Sequence, residues 1–127
     1  MSSILVVDDD LQVLEVVSEM LRLEGHEVTT AVNGREAVSK FKAGSFDLVI
    51  TDLIMPEREG LETIVELKSS GRSVPVIAMS GGGRVGPTDY LETAQFIGAN
   101  ATLAKPFARS ELIQIVTNLL NDQQAAS

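Results

Sequence analysis

Apolar residues fall into two regimes along this chain. Short unbroken runs, "SILVV", "HEVTTAV", "FDLVIT", "VPVIAMS" and "ATLA", alternate with longer stretches whose apolar positions recur at helical spacing. Those stretches are "LQVLEVVSEMLRLEG", ended by Gly25, "NGREAVSKFKAG", from an Asn-Gly turn to Gly44, "LETIVELKSSG", "TDYLETAQFIGA" and "ARSELIQIVTNLLN". Unbroken apolar strands fit a sheet buried on both faces. Five strand–helix repeats predict a parallel sheet covered by helices on both sides, with right-handed crossovers and a doubly wound order. The expected fold is a three-layer α/β sandwich on a five-stranded parallel sheet. It fills residues 1–121, and "DQQAAS", residues 122–127, reads as a short, frayed polar tail.

The first helix carries more apolar positions than one core stripe needs. Val13, Val16, Val17 and Met20 share a face, with Leu21 at its border. Leu11 and Leu14 fall outside that face; they border the core or form part of a docking patch for a helical partner. Asp10 stands at the helix start, where an anion caps exposed amides and favours the dipole. His26, the only histidine, precedes the second strand at the opposite end of the sheet and reads as a surface residue.

Composition narrows the function classes. The chain has 127 residues, enough for one domain that buries roughly two-thirds of its unfolded surface. It has no cysteine, which rules out disulfides and zinc–thiolate sites. Eighteen acidic residues against ten basic ones argue against direct nucleic-acid binding. No signal peptide is visible, and no apolar run approaches the ~20 residues needed to span a bilayer. A soluble, cytoplasmic protein is expected.

The chemistry lies at the strand ends. In open parallel sheets, ligands bind beyond the carboxyl ends of the strands. There the first strand runs into Asp8 and Asp9, the third ends at Asp52, the fourth at Ser80, and the fifth at Lys105 followed by Pro106. Adjacent carboxylates repel one another and are costly near low-dielectric surroundings unless something neutralises them. A divalent cation supplies the missing counter-charge.

Order, spacing and strand context of "VVDDD", "DLVITDLIMPEREG", "VIAMSG" and "LAKPF" make the chain resemble the receiver domain of bacterial two-component response regulators, a flavodoxin-like (βα)5 fold. The resemblance implies that Asp52 accepts a phosphoryl group from a phosphohistidine on a histidine kinase or histidine phosphotransfer protein. It implies Mg²⁺, or Mn²⁺ in its place, on Asp9 and Asp52, with Asp8 acting largely through water and the Ile54 backbone carbonyl as a further ligand. Ser80 matches the switch hydroxyl, Lys105 the lysine that contacts the phosphoryl oxygens, and Pro106 a position that commonly follows a cis bond. Ile54 and Gly82 match positions that tune attack by water, and neither side chain can hydrogen-bond one.

The chain departs from the family pattern in places. Thr102 stands where an aromatic switch residue is common. "SGGGRVGPTDY" is glycine-rich, and Gly81 and Gly82 permit backbone angles closed to other residues. With no output domain after the last helix, a stand-alone receiver acting on an unidentified downstream protein is expected. Among alternatives, a haloacid-dehalogenase-like phosphohydrolase would use Asp8 and Asp10, but Gln12 breaks that motif and no cap domain is present. A flavodoxin-like electron carrier would want a hydroxyl-rich loop and more aromatic residues than four Phe and one Tyr. A degenerate receiver serving only as a scaffold conflicts with the retention of Asp9, Asp52, Ser80 and Lys105.

Overall fold

The computed structural model describes residues 2–52, 59–69, 74–80, 99–105 and 107–125. Strands β1 (Ser3–Val7), β2 (Glu27–Ala31), β3 (Leu48–Asp52), β4 (Val76–Ser80) and β5 (Ala101–Ala104) form one sheet in the order β2-β1-β3-β4-β5. Every pair is parallel, as expected for strands fed by crossover helices.

Side chains on a strand alternate between faces, and here both faces are apolar. Ile4, Val6, Leu48, Ile50, Ile77 and Met79 point into one core. It is closed by helix α1 (Leu11–Leu23), through Leu14, Val17 and Leu21, and by helix α4 (Arg109–Ala125), through Leu112, Val116 and Leu120. Leu5, Val7, Val49, Val76 and Ala78 point the other way, against Ala37 and Phe41 of α2 (Gly34–Ala43) and Ile64 and Leu67 of α3 (Glu59–Ser69). This two-sided burial is why the strands read as unbroken apolar runs.

Local signals place the helix ends. Asp10 is the N-cap of α1, its carboxylate accepting from Gln12 N at 2.9 Å, as the sequence predicts. Asn33 caps α2 in the same way, accepting from Glu36 N at 2.8 Å. Gly25, at φ 89°, ends α1: Gly25 N donates to Arg22 O and His26 N to Leu21 O, the paired bonds of a glycine-terminated helix. At the amino end of the sheet, Asn100 Oδ1 accepts from both Lys68 Nζ (2.7 Å) and Val76 N (2.9 Å), tying α3 to β4.

Three expectations need correction. The buried stripe of α1 is Leu14, Val17, Ser18 and Leu21, whereas Val16 is half exposed. The expected face was rotated by one residue because Ser18, a hydroxyl, sits in the middle of the true stripe while its neighbour stripe is wholly apolar. Secondly, the last helix continues through residues 122–125 rather than ending at the polar tail, since Gln and Ala favour helix. Thirdly, His26 is half buried rather than a surface residue, and its Nδ1 has no hydrogen-bond partner among the described residues. Of the helix expected over residues 88–99, all but Ala99 lies outside the described residues.

Candidate functional site

Four adjacent strands deliver their ends to one place. Asp8 and Asp9 follow β1 directly, Asp52 is the last residue of β3, and Ser80 closes β4 in register with Ala104. Lys105 follows β5. Ser80 is placed here by its backbone, while Ile54, Gly81, Gly82 and Pro106 lie outside the described residues. Thr102 sits within β5, in register with Ala78.

One carboxylate oxygen from each of Asp8, Asp9 and Asp52 lies within 4.8 Å of the others. Asp8 is fully buried and Asp52 nearly so, whereas Asp9 is exposed at the mouth. Lys105 Nζ bonds Asp8 Oδ2 at 2.6 Å and stands 3.6 Å from Asp52 Oδ1. The other oxygen of Asp8 accepts from Asp10 N at 2.9 Å. Among the described residues, three carboxylates meet one ammonium, that of Lys105, in a site where burial makes an excess of like charge expensive. An all-oxygen donor set rich in negative charge suits a hard dication such as Mg²⁺ or Mn²⁺. Asp10 takes no part in the cluster, its carboxylate being spent on the helix cap. The Asp8–Asp10 pairing of a phosphohydrolase therefore finds no support in the geometry.

Beside the cluster, an apolar groove of about 430 Å³ runs along α1. Val13, Val16 and Met20 form one wall and Phe107 stands among its lining, with Asp10 and Lys105 at the end nearest the carboxylates. Leu11 is 68% exposed at the start of the same helix, but Leu14 is buried in the core. Leu14 is therefore no docking residue: its position four before Ser18 and seven before Leu21 turns it inward. Phe107 enters the sequence reading only as the last letter of "LAKPF"; an aromatic residue two positions after a strand-end lysine is the signal that marks it.

The chain matches the family model described as the response regulator receiver domain over residues 4–117. It belongs to the receiver-domain family. This receiver domain is 38% identical over its whole length to a transcriptional regulatory protein CpxR homolog of Haemophilus influenzae, of which it covers 54%. Over 90% of its length it is 34% identical to the swarming motility regulation protein RssB of Serratia marcescens, covering 51% of that protein. It thus spans about half the length of the curated relatives it matches. Among solved structures, it aligns end to end with a receiver domain protein from Clostridium thermocellum at a TM-score of 0.90 and 30% identity. A CheY-like receiver from Methanospirillum hungatei, covered to 99%, aligns over the whole chain at a TM-score of 0.91 and 25% identity. Receiver domains are the phosphoacceptor modules of two-component response regulators, phosphorylated by histidine kinases, and they bind Mg²⁺ at an acidic cluster. The corresponding cluster here is Asp8, Asp9 and Asp52. Among the described residues, no helix is long and apolar enough to cross a membrane.

Proposed function

We propose that Asp52 is the phosphoacceptor of this receiver domain, taking a phosphoryl group from a phosphohistidine on a histidine kinase or histidine phosphotransfer protein. The observation that carries the reading is the convergence of three carboxylates at one sheet edge, with the Lys105 ammonium on Asp8 and beside Asp52. A carboxylate oxygen of Asp52 attacks phosphorus, the P–N bond to the imidazole breaks, and the leaving nitrogen takes a proton from solvent. Such transfer needs in-line positioning and charge neutralisation more than covalent help. Lys105, within 3.6 Å of Asp52, neutralises part of the charge on the incoming oxygens. Asp9 and Asp52, with Asp8 acting largely through water and the Ile54 carbonyl as a further ligand, would hold Mg²⁺ or Mn²⁺, which would supply further positive charge there. Ser80 hydrogen-bonds the phosphorylated carboxylate and, with Gly81 and Gly82, carries the change to a downstream protein; Thr102 has no ring to contribute.

The donor docks on α1. The half-exposed wall of Val13, Val16 and Met20, with Leu11 beyond it, leads directly to Lys105 and the carboxylates. A histidine-bearing helix seated there presents its phosphoryl group to Asp52. The domain acts in the cytoplasm as a stoichiometric acceptor, without turning over free phosphate esters or inserting into a membrane.

Incubation with acetyl phosphate, or with a phosphohistidine donor, tests the assignment. One phosphoryl group per chain should be taken up only with Mg²⁺ or Mn²⁺, and Asp52→Asn should abolish it. Undiminished labelling of that variant overturns the reading.

A further inference from the structure

Among the described residues no strand pairs with the outer side of β2, and the backbone parity of that edge determines which groups face outward. Glu27 N donates to Ser2 O and Ala31 O accepts from Asp8 N, so residues 27 and 31 turn their amides toward β1. In a parallel pair alternate residues bond to the same neighbour. Thr29 therefore also faces β1, and Val28 and Thr30 turn their N–H and C=O groups to the open side.

One of those outward groups is already taken. Lys40, on α2, reaches over the edge and donates to Thr30 O at 2.5 Å. Glu36, one turn earlier, holds the same ammonium at 3.1 Å. An open edge is a template for strand addition, and a charged side chain laid across it is a recognised way of blocking that addition. An incoming strand would have to strip Lys40 from both partners and leave an ammonium against its own backbone.

The edge is otherwise well suited to a second copy of itself. Antiparallel pairing about Thr29 places Val28 of one copy opposite Thr30 of the other, so that the two outward residues of each exchange both hydrogen bonds. The residues brought together, Val28, Thr29 and Thr30, are all β-branched, which favours strand pairing. Glu27, the charged residue of the strand, falls opposite Ala31 at the ends of the pair, so no like charges meet.

We propose that Lys40 is a guard residue: its bond to Thr30 O keeps the β2 edge from joining β2 of a second copy into a continuous ten-stranded sheet. The guard lies on the opposite side of β1 from the phosphorylation site and does not depend on it.

The test is the self-association of Lys40→Met, which keeps the aliphatic stem and removes the ammonium, by sedimentation equilibrium beside the parent chain. The dimer dissociation constant should fall at least about tenfold. Lys40→Arg should stay monomeric like the parent. Adding Thr30→Pro to Lys40→Met should return it to a monomer, because a proline there removes only an outward amide donor. In the Lys40→Met dimer, hydrogen exchange at the Val28 and Thr30 amides should slow with rising concentration. A parent chain that already dimerises through β2 overturns the proposal. So does a Lys40→Met variant with native circular dichroism that stays monomeric, or a dimer indifferent to Thr30→Pro.

Discussion

Lys105 is bonded to Asp8, at 2.6 Å, more closely than to Asp52, at 3.6 Å. The lysine thus serves first as the counter-charge of the deepest carboxylate in the cluster. This makes Lys105 and a bound dication competitors for the same negative charge. Lys105→Met should lower stability in EDTA by about 1–3 kcal/mol, since it leaves buried Asp8 without its partner. Saturating Mg²⁺ should restore more stability to the variant than to the parent, through tighter binding to a carboxylate cluster that has lost its ammonium. Urea denaturation with and without Mg²⁺ measures both. Equal Mg²⁺ stabilisation of the two proteins would show that Lys105 does not compete.

Asp52→Asn removes one of those charges without changing shape. In EDTA the variant should be more stable than the parent, by about 1 kcal/mol, because like-charge repulsion in the buried cluster is relieved. Mg²⁺ should stabilise it less. Thermal melts in both conditions give the comparison.

His26 makes stability depend on pH near neutrality. Burial, the largest cause, pushes its imidazole below the ordinary value; the amino-terminal charge adds to this, and Glu24 opposes it. The unfolded chain, with an ordinary imidazole at about pH 6.5, then binds a proton that the folded chain refuses. Stability from this group is fully present above that pH. It falls as pH drops below about 6.5, and levels off once pH passes the lower, folded value. His26→Gln should flatten the pH dependence of the urea midpoint between about pH 7 and pH 5. An unchanged profile would assign that dependence to other groups.

Leu11 and Leu14 should separate cleanly. Leu14→Ala, in the core, should cost about 2–4 kcal/mol of stability. Leu11→Ala, at 68% exposure, should change stability by less than about 0.5 kcal/mol. If α1 receives the donor, Leu11→Ala and Val16→Asp should slow phosphotransfer from a histidine donor while leaving labelling by acetyl phosphate unchanged. Equal slowing with both donors would move the docking surface elsewhere.

The phosphoryl group on Asp52 should be comparatively long-lived, because Ile54 and Gly82 offer no side-chain hydrogen bond to hold water in line. Each ~1.4 kcal/mol of lost transition-state stabilisation slows hydrolysis about tenfold. Ile54→Asn or Gly82→Glu should therefore speed the decay of labelled protein after the donor is removed. Decay that is unchanged or slower in both variants would mean that water positioning is not limiting.

The architecture and the address of the site are legible in the amino-acid order alone. Five apolar runs alternating with periodic stretches admit few arrangements other than a parallel sheet with two covered faces, and that sheet gathers its strand ends along one edge. Asp8, Asp9, Asp52 and Lys105 therefore group together from their order in the chain, and the cap at Asp10 and the stop at Gly25 are legible because both act within one helical turn. Tertiary structure decided what depends on relative depth and reach. Which face of α1 turns inward was hidden by Ser18, since the packing of α1 against the sheet outweighs one hydroxyl. Lys105, just after β5, bonds Asp8 in preference to Asp52 although β3 stands nearer to β5 than β1 does, because side-chain reach and not strand order sets that contact. Lys40 and His26 carried no signal at all. Their roles arise from an open strand edge and from local burial, and neither exists until the helices are packed on the sheet.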